Sequence, residues 1–340
     1  MRSLAIVKSG RDTSSAFSPG FTIERLQMAP DNYHQPVLEQ EIVELFTSLA
    51  AGVMVDATLG GAGHAYAILA SAPQLRLIGI DRDPDAREAA RRRLVDFADR
   101  TMIVDASFAD LARVVRENDA FVNADPVTGV LMDLGVSSHQ LDDATRGFSF
   151  RADAPLDMRM DPTQGETAAQ YLARVDPHEF ARVLRANGEN RFAGAIAKSV
   201  LDRQPTTTFE LTEAVERAVP MAARRRGHVA TRVFQALRIE VNQEAEQLAA
   251  GLEAALDVLA PAGVLAVISY HSGEDRVVKA TLHEAATGGC TCPPELGCVC
   301  GAVGRVTVFK ASARLASAAE IALNPRARSA RLRIARKVTP

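Results

Sequence analysis

Short apolar runs that close on a carboxylate constrain this chain more than any other feature of it. GVMVD (52–56) ends in Asp56 and is followed by glycines. LRLIGID (75–81), TMIVD (101–105) and VTGVLMD (127–133) end the same way, and GVLAVISYHS (263–272) is a fifth apolar run. Helical patterns separate them. PDAREAARRRLVDF places Asp83 as a helix N-cap and Pro84 at the first helical position. Near-continuous apolar strands alternating with helices predict a parallel sheet covered on both faces. Near the C-terminus, RVTVFKA and ARLRIARKV can add a closing antiparallel pair. At 340 residues there is room for one full α/β domain and a smaller one.

The alternation stops between about Leu141 and Arg226, where the pattern reads as purely helical. Asp176-Pro177-His178-Glu179 and Thr207-Thr208-Phe209-Glu210 both look like capped helix starts with a glutamate three residues on. Phe192, Ile196 and Val200 share one helical face, as do Leu211, Val215 and Val219. A long helix is then expected from about Thr231 to Leu259, with Leu237, Val241, Leu248, Leu252 and Leu259 on its core side. The expected organisation is a mobile tail over 1–30, a core made of 31–141 and 227–340, and an inserted helical substrate-recognition domain over 142–226. Met28 is an alternative start to Met1.

Net charge is −3, so the chain is no polycation, but its charge is uneven. Residues 301–340 hold nine basic side chains (Arg305, Lys310, Arg314, Arg326, Arg328, Arg331, Arg333, Arg336, Lys337) against one acid, Glu320. Arg224, Arg225 and Arg226 form a second knot. Such clusters suit an anionic partner or a solvated face. No apolar run approaches the roughly 18 residues of a membrane span, and no signal peptide is evident, so a cytoplasmic, soluble protein is expected. All four cysteines, Cys290, Cys292, Cys298 and Cys300, fall in CTCPPELGCVC. Clustering favours metal or redox chemistry over structural disulfides. The C-x-C spacing matches zinc sites imperfectly, so a metal-free loop of reduced thiols is the expectation and zinc the alternative.

In VDATLGGAGHA, Gly60, Gly61 and Gly63 follow Asp56 and lead into a helix. Glycines let backbone N–H groups approach a ligand, and the helix N-terminus adds positive potential. Asp81 follows about twenty residues on, where a carboxylate can accept both hydroxyls of a ribose. Asp105 and Phe108 follow the third strand and are placed to bond and pack against an adenine. NAD needs G-x-G-x-x-G, but Tyr66 stands at the third glycine position. That departure favours S-adenosylmethionine, which has no pyrophosphate.

The segments HQPVL, DATLGGAGH, IDRD, DLGVSSHQLDDATRGFSFRADAPLDMRMD, RVFQALRIEVNQE, ISYHSGEDRVVK and NPRARSARLR occur in this order. Together they resemble the bacterial 16S ribosomal RNA cytosine-N4 methyltransferase family, which modifies cytosine 1402 in the decoding centre. The likeness runs from about Tyr33 to Val338. It implies a class I (Rossmann-like) S-adenosylmethionine-dependent methyltransferase sheet with a helical insert, acting on 16S rRNA in the small ribosomal subunit. It also implies cofactor contacts at Gly61, Ala62, Gly63, His64, Asp81, Phe108, Asp133 and Gln140. Ala62 stands where glycine is usual in the family, His139 where proline is, Gly273 where leucine is, and Tyr270 where phenylalanine is. A homodimer is left open.

Cytosine N4 is a poor nucleophile because its lone pair is delocalised into the ring. An acceptor holding one N–H favours a pyramidal nitrogen aimed at the sulfonium methyl. Asp133 and the Leu134–Ser138 backbone occupy that position, and a carboxylate suits the charge that develops on nitrogen. Asp133 can equally serve to position the cofactor. The loop after it can receive a base drawn out of its stack, with Phe148 or Phe150 stacking on it. His271 is expected to contact the base or relay a proton, or else to be a structural histidine bonded to Glu274 or Asp275. Arg232, Gln235 and Asn242 form a polar stripe facing either the cleft or solvent. The chemistry requires no metal. The alternatives are an NAD-dependent oxidoreductase and a non-catalytic RNA-binding assembly factor on the same fold.

Overall fold

The computed structural model describes residues 36–123, 125–224, 229–293, 299–309 and 313–339. The expected tail over 1–30, Met28, Arg225, Arg226, Cys298 and Lys310 lie outside the described residues.

Each apolar run is a strand: β1 (Gly52–Asp56), β2 (Leu75–Asp81), β3 (Thr101–Asp105), β4 (Val127–Asp133) and β5 (Val264–Ser269). They pair in parallel in the order β3-β2-β1-β4-β5. The two C-terminal runs give β6 (Val306–Val308) and β8 (Arg331–Lys337), with the short β7 (Arg314–Leu315) between them in sequence. β8 pairs antiparallel with β5, β6 and β7, so the closing antiparallel pair is present. The parallel order with its antiparallel closure is the open α/β sheet that the sequence pattern predicts.

Successive strand side chains point to opposite faces, and the core divides accordingly. Val264, Ala266 and Ile268 of β5 join one apolar cluster with Met54, Ile42 and Phe46 of α1 (Glu39–Thr47), and Ile68 and Leu69 of α2 (Gly63–Ser71). Leu265 and Val267 join the opposite cluster with Val53 and Val55. That second face is covered by α4 (Leu111–Glu117), by α13 (Glu244–Val258) and by α14 (Ser272–Thr287). α3 (Pro84–Arg93) begins as expected, with the Asp83 carboxylate accepting the Asp85 N–H. A single turn, α5 (Asp119–Val122), leads toward β4, and a short α6 (Ser138–Asp142) follows it.

Between β4 and β5 the chain also forms α7 (Ala168–Arg174), α8 (Pro177–Ala186), α9 (Ala193–Arg203), α10 (Thr208–Ala218) and α11 (Met221–Arg224). Asp176 and Thr207 are the N-caps expected of them. Phe180, Leu184, Ile196, Val200, Leu211 and Val215 form a third apolar cluster with Val233 and Leu237 of α12 (Val229–Val241). α15 (Ala318–Leu323) precedes β8.

Two expectations fail. Residues 147–167 are not helical: they form an irregular loop, with Gly147 at φ 72° and Met158 at φ 63°. The long helix is two helices, α12 and α13, broken where Gln243 adopts φ 53°. One buried side chain ties these corrections together. The Asn242 amide donates to the Met158 carbonyl at 2.8 Å and its oxygen accepts the Met160 N–H at 2.8 Å. Those bonds satisfy loop backbone that no helix or strand satisfies.

Candidate functional site

Register places the acidic strand ends. Asp56 of β1 pairs with Gly79 of β2 and Leu131 of β4. Asp81 and Asp133 therefore lie at one height, two residues beyond Asp56, on the strands flanking β1. The chain continues β2 on one side of β1 and β4 on the other, so this is the switch point where an open α/β sheet leaves a crevice. A cavity of about 1150 Å3 opens there, lined by Gly60, Gly61, Gly63, His64, Asp81, Phe108, Asp133 and Gln140 among others. Drug-sized ligand pockets run to roughly 300–1,000 Å3, so there is room for a second occupant.

The turn after β1 is knitted to the Asp81 carboxylate on one side and to the Asp133 backbone on the other. Asp81 accepts the Gly60 N–H on one oxygen and the Asp83 N–H on the other, both at 2.8 Å. Each oxygen keeps a second lone pair for a ligand. The Asp133 N–H donates to Thr58 Oγ1 at 2.6 Å. Ala62 ends the turn at φ 58°, ψ 33°, fully buried. An alanine there bears a left-handed strain of about 1–2 kcal/mol that glycine avoids. Gly63 has no room for a side chain, since a Cβ would stand 2.7 Å from the Pro36 ring.

His64 Nε2 faces the Val37 carbonyl at 2.8 Å, which assigns the proton to that nitrogen. Its Nδ1 lies 3.6 Å from Asp133 Oδ2. The Tyr270 hydroxyl donates to Asp133 Oδ1 at 2.8 Å. Burial pushes the Asp133 carboxyl above its ordinary range, while His64 and then Tyr270 pull it back part of the way. Burial pushes Asp81 up to about 6 and Asp56 up to about 7. The site is a desolvated, acidic pocket, suited to hydroxyl donors and to positive charge.

Gln140 is a helix-capping residue as well as a cavity wall. Its oxygen accepts the Ser137 N–H and its amide donates to Asp83 Oδ2 at 2.7 Å. Asp83 also faces the Arg146 guanidinium at 3.1 Å, and Arg146 donates to the Met160 carbonyl. The loop after β4 is thus fastened back onto the end of β2. Phe108 borders the cavity and packs against α13, where a Cβ on Gly251 would come within 2.6 Å of its ring. Asp105 does not join it; that side chain is exposed and forms a paired ion bridge with Arg87.

Phe148 and Phe150 both border the cavity; Phe148 is buried, and Phe150 meets Phe234 edge-on at 5.1 Å. The polar stripe on α12 splits three ways. Gln235 borders the cavity, Asn242 pins the loop, and Arg232 is taken up by Glu189. His271 borders the cavity and N-caps α14, its Nδ1 receiving the Glu274 N–H at 3.4 Å. Its Nε2 stands 2.8 Å from Glu274 Oε1, outside hydrogen-bond geometry. The C-terminal basic cluster is largely structural. Arg333 and Arg331 hold Asp275, Arg305 holds Glu253 and Asp257, and Arg326 holds Asp142. Arg314 and Arg328 remain exposed.

Thr58, Arg238 and Glu244 were not singled out from sequence, and Tyr270 and Glu274 only as a family departure and a partner for His271; Thr58, Tyr270 and the Arg238–Glu244–Glu274 cluster, with Arg238 bidentate to Glu244 at 2.8 Å, all support the pocket. Tyr270 stands beside His271 in the ISYHSGED motif, which was the available signal.

A family model described as the MraW methylase family matches residues 31–338. The chain belongs to the MraW methylase family. It is 48% identical to ribosomal RNA small subunit methyltransferase H of Geobacter sulfurreducens, over 90% of this chain and 99% of that protein. The likeness to the protein of the same name from Heliobacterium mobile is 46%, with the same coverage. For that of Symbiobacterium thermophilum it is 47% over 88% of this chain and 95% of the other. Family membership removes the oxidoreductase alternative. It agrees with the fold, since Tyr66 at the third glycine position sits inside α2 and packs against Phe97 with ring centres 5.6 Å apart. Among the described residues no helix of this methylase is long and apolar enough to cross a membrane.

Proposed function

We propose that this chain is an S-adenosylmethionine-dependent methyltransferase that acts on the exocyclic N4 amine of a cytosine in the 16S rRNA of the small ribosomal subunit. The observation carrying this reading is the pairing of Asp81 and Asp133 at one height on either side of the glycine turn, inside a cavity with room for two occupants.

Asp81 has free lone pairs for the two ribose hydroxyls, and the turn, bare of side chains at Gly60, Gly61 and Gly63, admits the rest of the cofactor. His64, Phe108 and Gln140 complete that wall, while Ala62 is fully buried and does not border the cavity. When bound, the cofactor supplies an electrophilic methyl on a sulfonium. Asp133 accepts one N–H of the incoming amine and faces the positive charge that grows on nitrogen. An acceptor fixed before reaction needs no reorganisation, and this is where preorganised charge helps most. Tyr270 holds one oxygen of that carboxylate, and the His64 ring lies 3.6 Å from the other. Phe150 and Phe234 offer an apolar wall for a pyrimidine removed from its stack. We assign His271 to holding Glu274 and the start of α14; Asp133 is the nearer candidate to receive the N4 proton.

The test uses small subunits from cells that lack this modification. Incubation with the purified chain and S-adenosylmethionine should add one methyl group to one cytosine, located at N4 by nucleoside mass spectrometry. RNA binding without methyl transfer to any ribosomal particle would favour the assembly-factor reading instead.

A further inference from the structure

Away from the cavity, three thiols converge at the exit of α14. Cys290, Cys292 and Cys300 bring their sulfurs within 4.8 Å of one another. Cys290 and Cys300 stand 3.6 Å apart, far beyond the roughly 2.05 Å of a disulfide. Two thiolates on one tetrahedral zinc, each about 2.3 Å from the metal, sit about 3.8 Å apart by geometry alone. The backbone of Val299 and of Cys300 directs hydrogen bonds at the Cys292 sulfur. Such bonds are the outer support that metal-bound thiolates take.

The base of this loop is built to hold the cysteines together. Gly288 ends α14 at φ 64°, and a Cβ there would strike the Val303 backbone at 2.5 Å. A Cβ on Gly304 would strike the Ala286 carbonyl at 2.1 Å. The Arg305 N–H closes the turn on the Ala285 carbonyl at 2.7 Å. Outgoing and returning strands therefore touch, with the thiols just beyond the contact.

We propose that Cys290, Cys292 and Cys300 bind a structural zinc ion that closes the loop between α14 and β6. Three thiols lose their protons as three sulfur–zinc bonds form, and a water or a further loop group fills the fourth position. None of these residues borders the methyl-transfer cavity, so the ion supports the fold and takes no part in the transfer.

The full chain, purified reduced and without chelator, should carry about one zinc by elemental mass spectrometry. Cys290→Ser and Cys300→Ser together should lower this below about a tenth while S-adenosylmethionine binding persists. Should that variant fail to fold, wild type decides. Stripped under reducing conditions and given cobalt, it should develop the sulfur-to-cobalt absorption of a tetrahedral thiolate site. Wild type that holds no zinc as purified and none on readdition overturns the proposal. So does a double serine variant that keeps its zinc, or intact mass showing these cysteines as a disulfide in the active enzyme.

Discussion

Replacing Tyr270 by phenylalanine isolates one term of the proposed chemistry, because it removes a single hydroxyl from Asp133. That hydroxyl donates to the carboxylate at 2.8 Å inside the buried pocket. Hydrogen bonds to charged groups contribute about 1.5–3 kcal/mol. The bond holds the Asp133 carboxyl below where burial and His64 alone would leave it. Loss of the bond raises that pKa. The reactive form is the ionised carboxylate, so activity falls as pH drops through the pKa, and the acid limb of the rate profile must move to higher pH. The assay is single-turnover methyl transfer to small subunits at saturating donor across pH. Tyr270→Phe should move the acid limb to higher pH and leave the alkaline plateau within about threefold. Asp133→Asn should lose the limb altogether and run about 10²–10³ slower, the usual cost of one preorganised electrostatic group. An acid limb unmoved by Tyr270→Phe would refute the assignment of Asp133 as the titrating acceptor.

Asp81→Ala should weaken S-adenosylmethionine binding by about 10²–10⁴-fold in calorimetry, two charge-assisted hydrogen bonds at about 1.5–3 kcal/mol each. Because burial raises Asp81 to about 6 and only its ionised form accepts both hydroxyls, wild-type cofactor affinity should fall as pH drops below that value. An affinity flat from pH 7 down to about 5 would contradict the contact. Asn242→Ala leaves the Met160 N–H and the Met158 carbonyl without partners, and should cost about 2–4 kcal/mol in denaturant unfolding. It should also raise KM for the ribosomal substrate more than KM for the cofactor, since the loop after β4 is what it secures.

The strand ends were legible because they depend on local pattern. An apolar run closing on Asp56, Asp81 or Asp133 specifies a buried strand with a carboxylate at its mouth, and the run closing on Asp105 gives the half-buried edge strand. N-caps at Asp83, Asp176 and Thr207 were legible for the same reason. What the pattern could not convey was tertiary. Nothing around Gln243 interrupts the helical period, yet the helix breaks there to let Asn242 serve a loop about eighty residues away in sequence. Asp105 looked equivalent to Asp81, but Arg87, one turn into α3, captures it. The basic tail suggested an anionic partner or a solvated face, whereas β8 lies beside α14 and spends Arg331 and Arg333 on Asp275. The Ala62 position was visible as a departure from the family; only the backbone showed that alanine takes the left-handed turn unaided.

A crystal of the chain grown with S-adenosylmethionine tests the central claim most directly. The ribose hydroxyls should rest on Asp81, and the sulfonium methyl should point toward the space in front of Asp133. A donor bound with its ribose away from Asp81, or with its methyl turned from Asp133, would contradict the account.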